Sequence, residues 1–207
     1  MTSSGSKTFT GNCGLVIIPD ERTVATAIKF GEIPSVATYR VRRPHLTLHI
    51  ASVCNLTNDA IHCALDSLIE TLQVESTVGL TRQLSVFGES YLFWDAVRNK
   101  ALEQAHRNAL SLLTPVLAPA SNQAAANQTG LQFTEDELKN IHTYGYPFVG
   151  ELYRPHITLS FGQNMSASSS IPFPIDELST MRIAQIAFVS VGDFGSIDSV
   201  LHSRDLK

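Results

Sequence analysis

The chain has 207 residues, enough for one large domain or two small lobes around a substantial buried core. Its apolar fraction of 43% and charged fraction of 16% are those of a globular protein and exclude an intrinsically disordered chain. The net charge of −4 excludes a protein that coats long duplex nucleic acid, because such proteins present many cations to phosphates.

The cysteines and the N-terminal segment both bear on the cellular location of the protein. The three cysteines are odd in number and include no C-x-x-C pair, so we expect reduced thiols and neither disulfides nor zinc ligands. The N-terminal segment has no apolar stretch of the signal-peptide type, and no run approaches the length of a membrane helix. We therefore expect a cytoplasmic protein that does not contact the membrane.

The pattern of the first half predicts alternating strands and helices. Residues 1–12 are expected to form a flexible tail, and the apolar run Gly14–Pro19 a buried strand. Segment 21–30 has helical spacing and ends at Gly31, and a second strand is expected to begin at Pro44. The next helix carries apolar residues three and four positions apart, at Ile61, Leu65, Leu68, Ile69 and Leu72.

The pattern then predicts two strands around a turn at Gly88 and an amphipathic helix over Asn99–Leu113. Segment 114–130 is rich in Pro, Ala, Asn and Gln without an apolar period, which predicts a linker or a mobile loop. A short helix from Glu135 to about His142 precedes another strand, and two final strands flank a turn over Gly192–Gly195. This order indicates two α+β halves divided by the linker, within a single domain over residues 1–207.

The octapeptides RPHLTLHI and RPHITLSF, whose histidines lie 111 residues apart, share the pattern Arg-Pro-His-(Leu or Ile)-Thr-Leu. Alternate side chains of a strand point to the same face. His45 therefore shares a face with Thr47, and His156 with Thr158, while the leucine and isoleucine side chains anchor the strands from the other face. A single histidine in a strand is usually a core residue, but core packing does not require the same His and Thr twice.

Two imidazoles on opposite sides of a groove can act as a general base and a general acid, because the unperturbed pKa of histidine is about 6.5. Threonine hydroxyls are short donors that suit phosphate oxygens. We therefore predict His45 and His156 as the catalytic pair, Thr47 and Thr158 as phosphate ligands, and a displacement at phosphorus that needs no metal or cofactor.

The tetrads His-Leu-Thr-Leu and His-Ile-Thr-Leu resemble the repeated motif of the two-histidine (2H) phosphoesterase superfamily, which includes the LigT-type RNA cyclic phosphodiesterases and 2′-5′ RNA ligases. The resemblance implies an α+β, bilobal fold with pseudo-twofold symmetry, two antiparallel sheets around a central groove, and helices outside. It also implies metal-independent hydrolysis of a 2′,3′-cyclic phosphate or a related linkage in a nucleotide or at an RNA end, as in RNA processing.

Residues next to the motifs are weaker candidates for substrate binding. Arg43, which ends the basic run YRVRR, and Arg154 are candidate groove cations, and Tyr153 and Phe161 are candidate stacking partners for a base. Alternation also places His49 on the face of the first motif histidine, but its counterpart is a serine, so we leave it out of the catalytic set. The other histidines have no partner pattern and are expected at the surface: His62, His106, His142 and His202.

The primary hypothesis is a monomeric phosphodiesterase that hydrolyses 2′,3′-cyclic phosphates of nucleotides or RNA ends. A second hypothesis is cleavage of 2′,5′-linked oligoadenylates or of cyclic nucleotide signals. A third is a non-catalytic module that binds a phosphate end in the same groove. The two intact His/Thr pairs favour catalysis, because binding alone would tolerate the loss of one histidine.

Overall fold

A computed structural model describes residues 7–34, 37–118, 133–162, 165 and 178–206. The strands are β1 (Thr8–Pro19), β2 (Ala37–Arg40), β3 (Leu46–Thr57), β4 (Thr77–Phe87), β5 (Tyr91–Ala96), β6 (His156–Gly162), β7 (Thr180–Val191) and β8 (Ile197–Asp205). The helices are α1 (Glu21–Gly31), α2 (Asn58–Leu72), α3 (Lys100–Leu113) and α4 (Glu135–Tyr144). No helix in this part of the chain is both long and apolar enough to cross a membrane.

The antiparallel sheet has two four-stranded parts, β8-β7-β1-β3 and β4-β5-β6-β2. The parts join at two places. Strand β4 pairs with β7, and β3 pairs with β6 where Leu46 lies opposite Ile157. These two residues directly follow the motif histidines, so the fold brings the two copies of the motif side by side. The large antiparallel sheet with helices confirms the predicted α+β class, and the pseudo-twofold symmetry stays a prediction.

The helices cover the sheet with their apolar sides. The predicted stripe of α2 is fully buried at Ile61, Leu65, Leu68 and Leu72. Side-chain caps define the starts of α2 and α3, because Thr57 accepts a hydrogen bond from the Ala60 N–H and Asn99 accepts one from the Leu102 N–H. Helix α3 packs on β3, and α1 packs on β6. Each motif strand is therefore held from behind by a helix.

The first strand is longer than predicted. The sequence predicts a flexible tail for residues 8–12, but they pair with the end of β3, where Thr8 lies opposite Thr57. The Phe9 ring packs edge-on against Phe188 at a centroid distance of 5.4 Å, which anchors this extension to β7. The tail prediction is wrong for these residues, and residues 1–6 lie outside the described part of the chain.

The predicted linker begins with ordered contacts. Residues 114–116 form a 3₁₀ turn after α3, Val53 forms a β-bridge with Leu117, and the Ala118 N–H donates to the Ser52 carbonyl. Residues 119–130 of this prediction lie outside the described residues.

We expect Leu65→Ala to lower the free energy of unfolding by about 2–5 kcal/mol, because the side chain is fully buried and its removal leaves a cavity. Val74→Ala is the matched control, since Val74 is 85% exposed. Urea denaturation of both variants measures the difference. Equal stability of the two variants would contradict the assignment of the α2 stripe to the core.

Candidate active site

A β-bulge follows the threonine of the first motif. Val16 pairs with Thr47 and Leu15 pairs with His49, which leaves Leu48 as the extra residue of β3. At this point two residues of β3 lie opposite one residue of β1, so the side chains of β3 no longer alternate strictly between the two faces of the sheet. His49 consequently lies fully buried on the side of Leu15, away from the face of Thr47. The prediction that His49 shares the face of the first motif histidine is therefore wrong.

A second bulge occupies the same position in the second motif. Phe93 pairs with Thr158 and Leu92 pairs with Ser160, which leaves Leu159 as the extra residue of β6. Ser160, the counterpart of His49, is also fully buried. Bulges near functional sites re-aim side chains and end regular pairing. The two motif strands thus share one local geometry as well as one sequence pattern.

The two motif histidines make the same hydrogen bond. Nδ1 of His45 donates to the Arg43 carbonyl at 2.8 Å, and Nδ1 of His156 donates to the Arg154 carbonyl at 2.7 Å. A carbonyl only accepts, so the proton of each neutral ring lies on Nδ1. Nε2 of each ring is then the basic nitrogen that can take up a proton.

Burial controls the protonation of both rings. His45 is 4% exposed and His156 is 5% exposed, and this desolvation lowers the pKa of each ring below its ordinary value, to about 4 for His156. The backbone of Arg154 and the carboxylate of Asp95 oppose the fall in the pKa of His156, whereas the charges of the Arg154 guanidinium and of His45 add to it. The rings therefore interact electrostatically, and the free protein holds both neutral at pH 7.

An open cavity of about 620 Å³ lies at the motifs and is lined by Thr47, His156 and Thr158. His45 borders it beside Gly195, a lining residue whose backbone raises the pKa of His45 and so partly opposes the effect of burial. Aromatic side chains form much of the wall: Phe87, Tyr91, Phe93, Phe133, Tyr146, Phe148 and Phe194. Neither Lys nor Arg is among the described lining residues. In the same described ranges, no three His, Cys, Asp or Glu side chains are grouped so that they could hold a metal ion.

Arg154, which we expected as a groove cation, binds a carboxylate instead. Its Nε and an Nη lie 2.8 Å and 3.0 Å from the two Asp95 oxygens, and the same Nη lies 2.7 Å from the Ser85 hydroxyl. Burial alone would raise the pKa of Asp95, but the hydrogen bonds from Arg154 and Ser85 hold it below its ordinary value. The guanidinium also lies over the Phe93 ring, which stacks on the imidazole of His156 at 3.8 Å. Arg154 thus supports the ring packed against His156.

The remaining candidates have mixed positions. Tyr153 is buried outside the cavity lining and stacks on His106 at 4.0 Å. Phe161 stacks at 4.1 Å on Phe194, which does line the cavity. Arg43 is exposed, and its carbonyl is the part that contacts a motif histidine. The fold therefore groups His156 and both threonines at the cavity with His45 at its border, and it does not bring Tyr153 or the Arg154 guanidinium there.

His106 was expected at the surface, and that prediction is wrong, since it is 2% exposed. His106 points from α3 towards β3, where its Nδ1 donates a hydrogen bond to the Leu48 carbonyl. The sequence signal was present, since His106 lies on the apolar stripe of α3 with Leu102, Ala105 and Ala109.

Phe194 is one of the cavity residues that the sequence analysis missed. The sequence predicts only a turn at this position, yet Phe194 lines the cavity with φ 57°, a left-handed conformation that is rare for an aromatic residue. Such conformations cost about 1–3 kcal/mol and persist only where the surroundings impose them. An aromatic residue between Asp193 and Gly195 in a tight turn was the available signal.

The chain matches one protein family by sequence and several solved structures by fold. A family model described as "Protein of unknown function (DUF1045)" matches residues 50–190, about two thirds of the chain. The match includes the second motif and begins after the first. A comparison with curated proteins finds no match.

Three solved structures share the fold over nearly the whole chain. E. coli LigT complexed with 3′-AMP has a TM-score of 0.54 at 15% identity, covering 96% of this chain and 99% of LigT. TT0787 of Thermus thermophilus has a TM-score of 0.52 at 12% identity, covering 94% and 97%. A structure described as a phosphoesterase has a TM-score of 0.54 at 13% identity, covering 95% and 99%. These likenesses confirm the predicted resemblance to LigT-type proteins at the level of the fold.

We expect the protein to lose stability as the pH falls from 7 to 5. Burial depresses the folded-state pKa of the four buried histidines below the unfolded value of about 6.5, so the unfolded chain binds more protons in this range. The free energy of unfolding should fall by up to about 1.4 kcal/mol per pH unit for each such histidine. The four are His45, His49, His106 and His156.

Urea midpoints at pH 7, 6 and 5 test this, with His49→Leu as the variant, because burial lowers the pKa of His49 to about 3. Neither of its ring nitrogens makes a hydrogen bond of good geometry with the described residues, although the backbone of Tyr144 partly opposes the fall. The pH dependence should be shallower in His49→Leu and unchanged in His142→Ala, whose side chain is exposed. A His49→Leu variant with the wild-type slope would contradict a buried, neutral His49.

Proposed function

Because the chain belongs to the DUF1045 family of proteins of unknown function and has the fold of LigT-type 2H phosphoesterases, we propose that it is a metal-independent phosphodiesterase. Its proposed substrates are 2′,3′-cyclic phosphates of nucleotides or RNA ends. We also keep the cytoplasmic location and the monomeric state as predictions.

The matched geometry of the two motifs carries this proposal. Each histidine is buried, each donates its Nδ1 proton to the carbonyl two residues earlier, and each is followed by a threonine that lines the cavity. Packing alone does not require the same tautomer twice at one cavity. Acid–base catalysis does, because it needs one Nε2 to accept a proton and the other to donate one.

In the proposed reaction, one imidazole takes a proton from a water molecule as the water oxygen attacks the cyclic phosphorus. One of the two ester P–O bonds breaks, and the other imidazole, protonated beforehand, gives its proton to the ribose oxygen that leaves. Thr47 and Thr158 donate hydrogen bonds to the non-bridging oxygens. The product is a ribose phosphate monoester, and proton exchange with water restores the pair.

The reaction needs one protonated and one neutral imidazole, and the bound anion would favour this difference between the two rings. Both rings are neutral in the free protein because burial disfavours their charge. A phosphodiester bound between them carries one negative charge, which favours protonation of one ring. With neither Lys nor Arg on the described cavity wall, that imidazolium would be the substrate's main counter-charge.

The aromatic wall favours a substrate that carries a base. Base–aromatic stacking is worth about 1–3 kcal/mol per base. Phe194 presents a ring at the cavity and is backed by Phe161. E. coli LigT has been crystallised with phosphate, with 3′-AMP and with NADP⁺, and the last two combine bases with ribose phosphates. These features support a nucleoside phosphodiester over a simple phosphodiester.

We expect His45→Ala and His156→Ala each to lower kcat on a nucleoside 2′,3′-cyclic phosphate by about 10²–10⁴, the usual contribution of a positioned acid or base. Thr47→Ala and Thr158→Ala should each cost about ten- to a hundredfold, because each removes one hydrogen bond to a charged oxygen. The assay is product formation on a panel of 2′,3′- and 3′,5′-cyclic nucleotides and 2′,5′-linked oligomers, with and without excess EDTA.

His142→Ala is the matched control, since this exposed histidine lies on the outer side of α4. Activity that disappears in EDTA and returns with added zinc or manganese would contradict the metal-independent reaction. If only the 2′,5′-linked oligomers are hydrolysed, the proposed 2′,3′-cyclic substrate is wrong and the second hypothesis is supported. A wild-type protein that binds these compounds without turnover would be the non-catalytic module.

We expect Phe194→Ala to raise KM for a cyclic nucleotide by about 5- to 100-fold with little change in kcat, because stacking on a base acts away from phosphorus. The same variant should be near wild type on glycerol 1,2-cyclic phosphate, which has no base. Phe194→Gly, which relieves the left-handed strain, should show the same KM defect if the ring itself matters. Equal losses on both substrates would contradict base stacking.

A further inference from the structure

The extra residue of a β-bulge is unpaired in the ladder, so its carbonyl needs another partner. In the first motif the Leu48 carbonyl accepts the Nδ1–H of His106 at 2.6 Å. In the second motif the Leu159 carbonyl accepts the Val41 N–H at 3.0 Å. Helix α1 also lies close to that second carbonyl at its last residue, Gly31. A Cβ on Gly31 would lie only 2.7 Å from the Leu159 oxygen.

His106 is held in one orientation by three contacts. Besides donating to Leu48, its Nε2 accepts the Gly150 N–H at 3.4 Å, and its ring stacks on Tyr153 with 10° between the planes. The accepting role of Nε2 fixes the neutral tautomer with the proton on Nδ1. This tautomer is the one that can donate to the bulge carbonyl, and an apolar core residue would satisfy neither partner.

Each bulge carbonyl directly follows a phosphate-binding threonine in the chain. Thr47 precedes Leu48, and Thr158 precedes Leu159. A change in the peptide orientation at the bulge therefore rotates the threonine before it. A buried carbonyl that loses its partner costs about 1–3 kcal/mol, enough to make the bulge rearrange.

We propose that His106 and Gly31 are positioning residues that set the two threonine hydroxyls through the two bulges. His106 acts on Thr47 by binding the Leu48 carbonyl. Gly31 acts on Thr158 by leaving room for the Leu159 carbonyl. This inference rests on the proposed function, because it assigns these residues a role in binding the same phosphate.

Crossed double-mutant cycles separate this role from a general effect on stability. His106→Phe keeps a ring that can stack on Tyr153 but removes the donor, and Gly31→Ala adds the Cβ that the Leu159 carbonyl would meet. We expect each to lower kcat on a cyclic nucleotide by about tenfold, with a smaller change in KM. After Thr47→Ala, His106→Phe should cost less than about threefold, whereas after Thr158→Ala it should keep its full effect.

Gly31→Ala should show the reverse dependence, with its effect lost after Thr158→Ala and kept after Thr47→Ala. His106→Asn is the conservative variant, because its amide can donate from near the position of Nδ1, and it should recover most of the kcat lost in His106→Phe. Effects that combine independently in all four double mutants, or equal losses in His106→Phe and His106→Asn, would overturn the inference.

A structural readout decides the inference without any turnover. Crystal structures of His106→Phe and Gly31→Ala should show the hydroxyl of one threonine displaced by more than about 0.5 Å, the tolerance of a preorganised site. Thr47 should move in the first variant and Thr158 in the second. If no phosphodiester is hydrolysed, the proposed function fails while these displacements still test the positioning role. Unmoved threonines in both variants would end it.

Discussion

The hydrogen bond from the Nδ1 of each motif histidine to the carbonyl two residues earlier is the contact on which the site depends. A proline lies between the two partners in both copies, Pro44 in the first and Pro155 in the second. Proline fixes its own φ near −65° and keeps the preceding residue extended. The Arg-Pro-His order therefore restricts the backbone between the carbonyl and the imidazole that donates to it, which gives the repeated proline a physical role.

The rest of the structure brings the two Arg-Pro-His segments together. The motif strands share only the pairing of Leu46 with Ile157, so most of each strand is held by its own part of the sheet and its own helix. A single shared pairing leaves the side chains beyond it free to face a cavity. Both imidazoles are buried and uncharged in the free protein, so no buried charge lacks a partner. The negative charge of a bound anion would favour the uptake of a proton from water by one of the two rings.

Local patterns in the sequence predicted much of the fold and the centre of the candidate site. The apolar spacing of α2, the amphipathic pattern of α3 and the two tetrads depend on residues within a few positions of one another, and such signals can be read from one chain. The position of His49 could not be predicted, because a bulge adds a residue without any mark in composition and reverses every later side chain. Strict alternation fails wherever a strand is interrupted.

Long-range partners account for the other differences. Arg154 binds Asp95, which lies 59 residues earlier, and His106 binds the Leu48 carbonyl, 58 residues earlier. Neither distance leaves a local pattern, so a cation beside the motif was expected in the groove and a histidine in a helix at the surface. The position of Phe194 at the cavity could not be predicted for the same reason, because the cavity is formed mostly by residues that are distant from Phe194 in the chain.

The most direct test of a two-histidine reaction is a crystal structure with a nucleoside vanadate, which mimics the five-coordinate phosphorus of a displacement reaction. We expect vanadium at the motifs, with Nε2 of His45 and Nε2 of His156 each within about 3 Å of opposite apical oxygens and both threonine hydroxyls on equatorial oxygens. The base should lie against Phe194. Vanadate bound away from the two Nε2 atoms, or contacted by one histidine alone, would contradict a two-histidine reaction at this site.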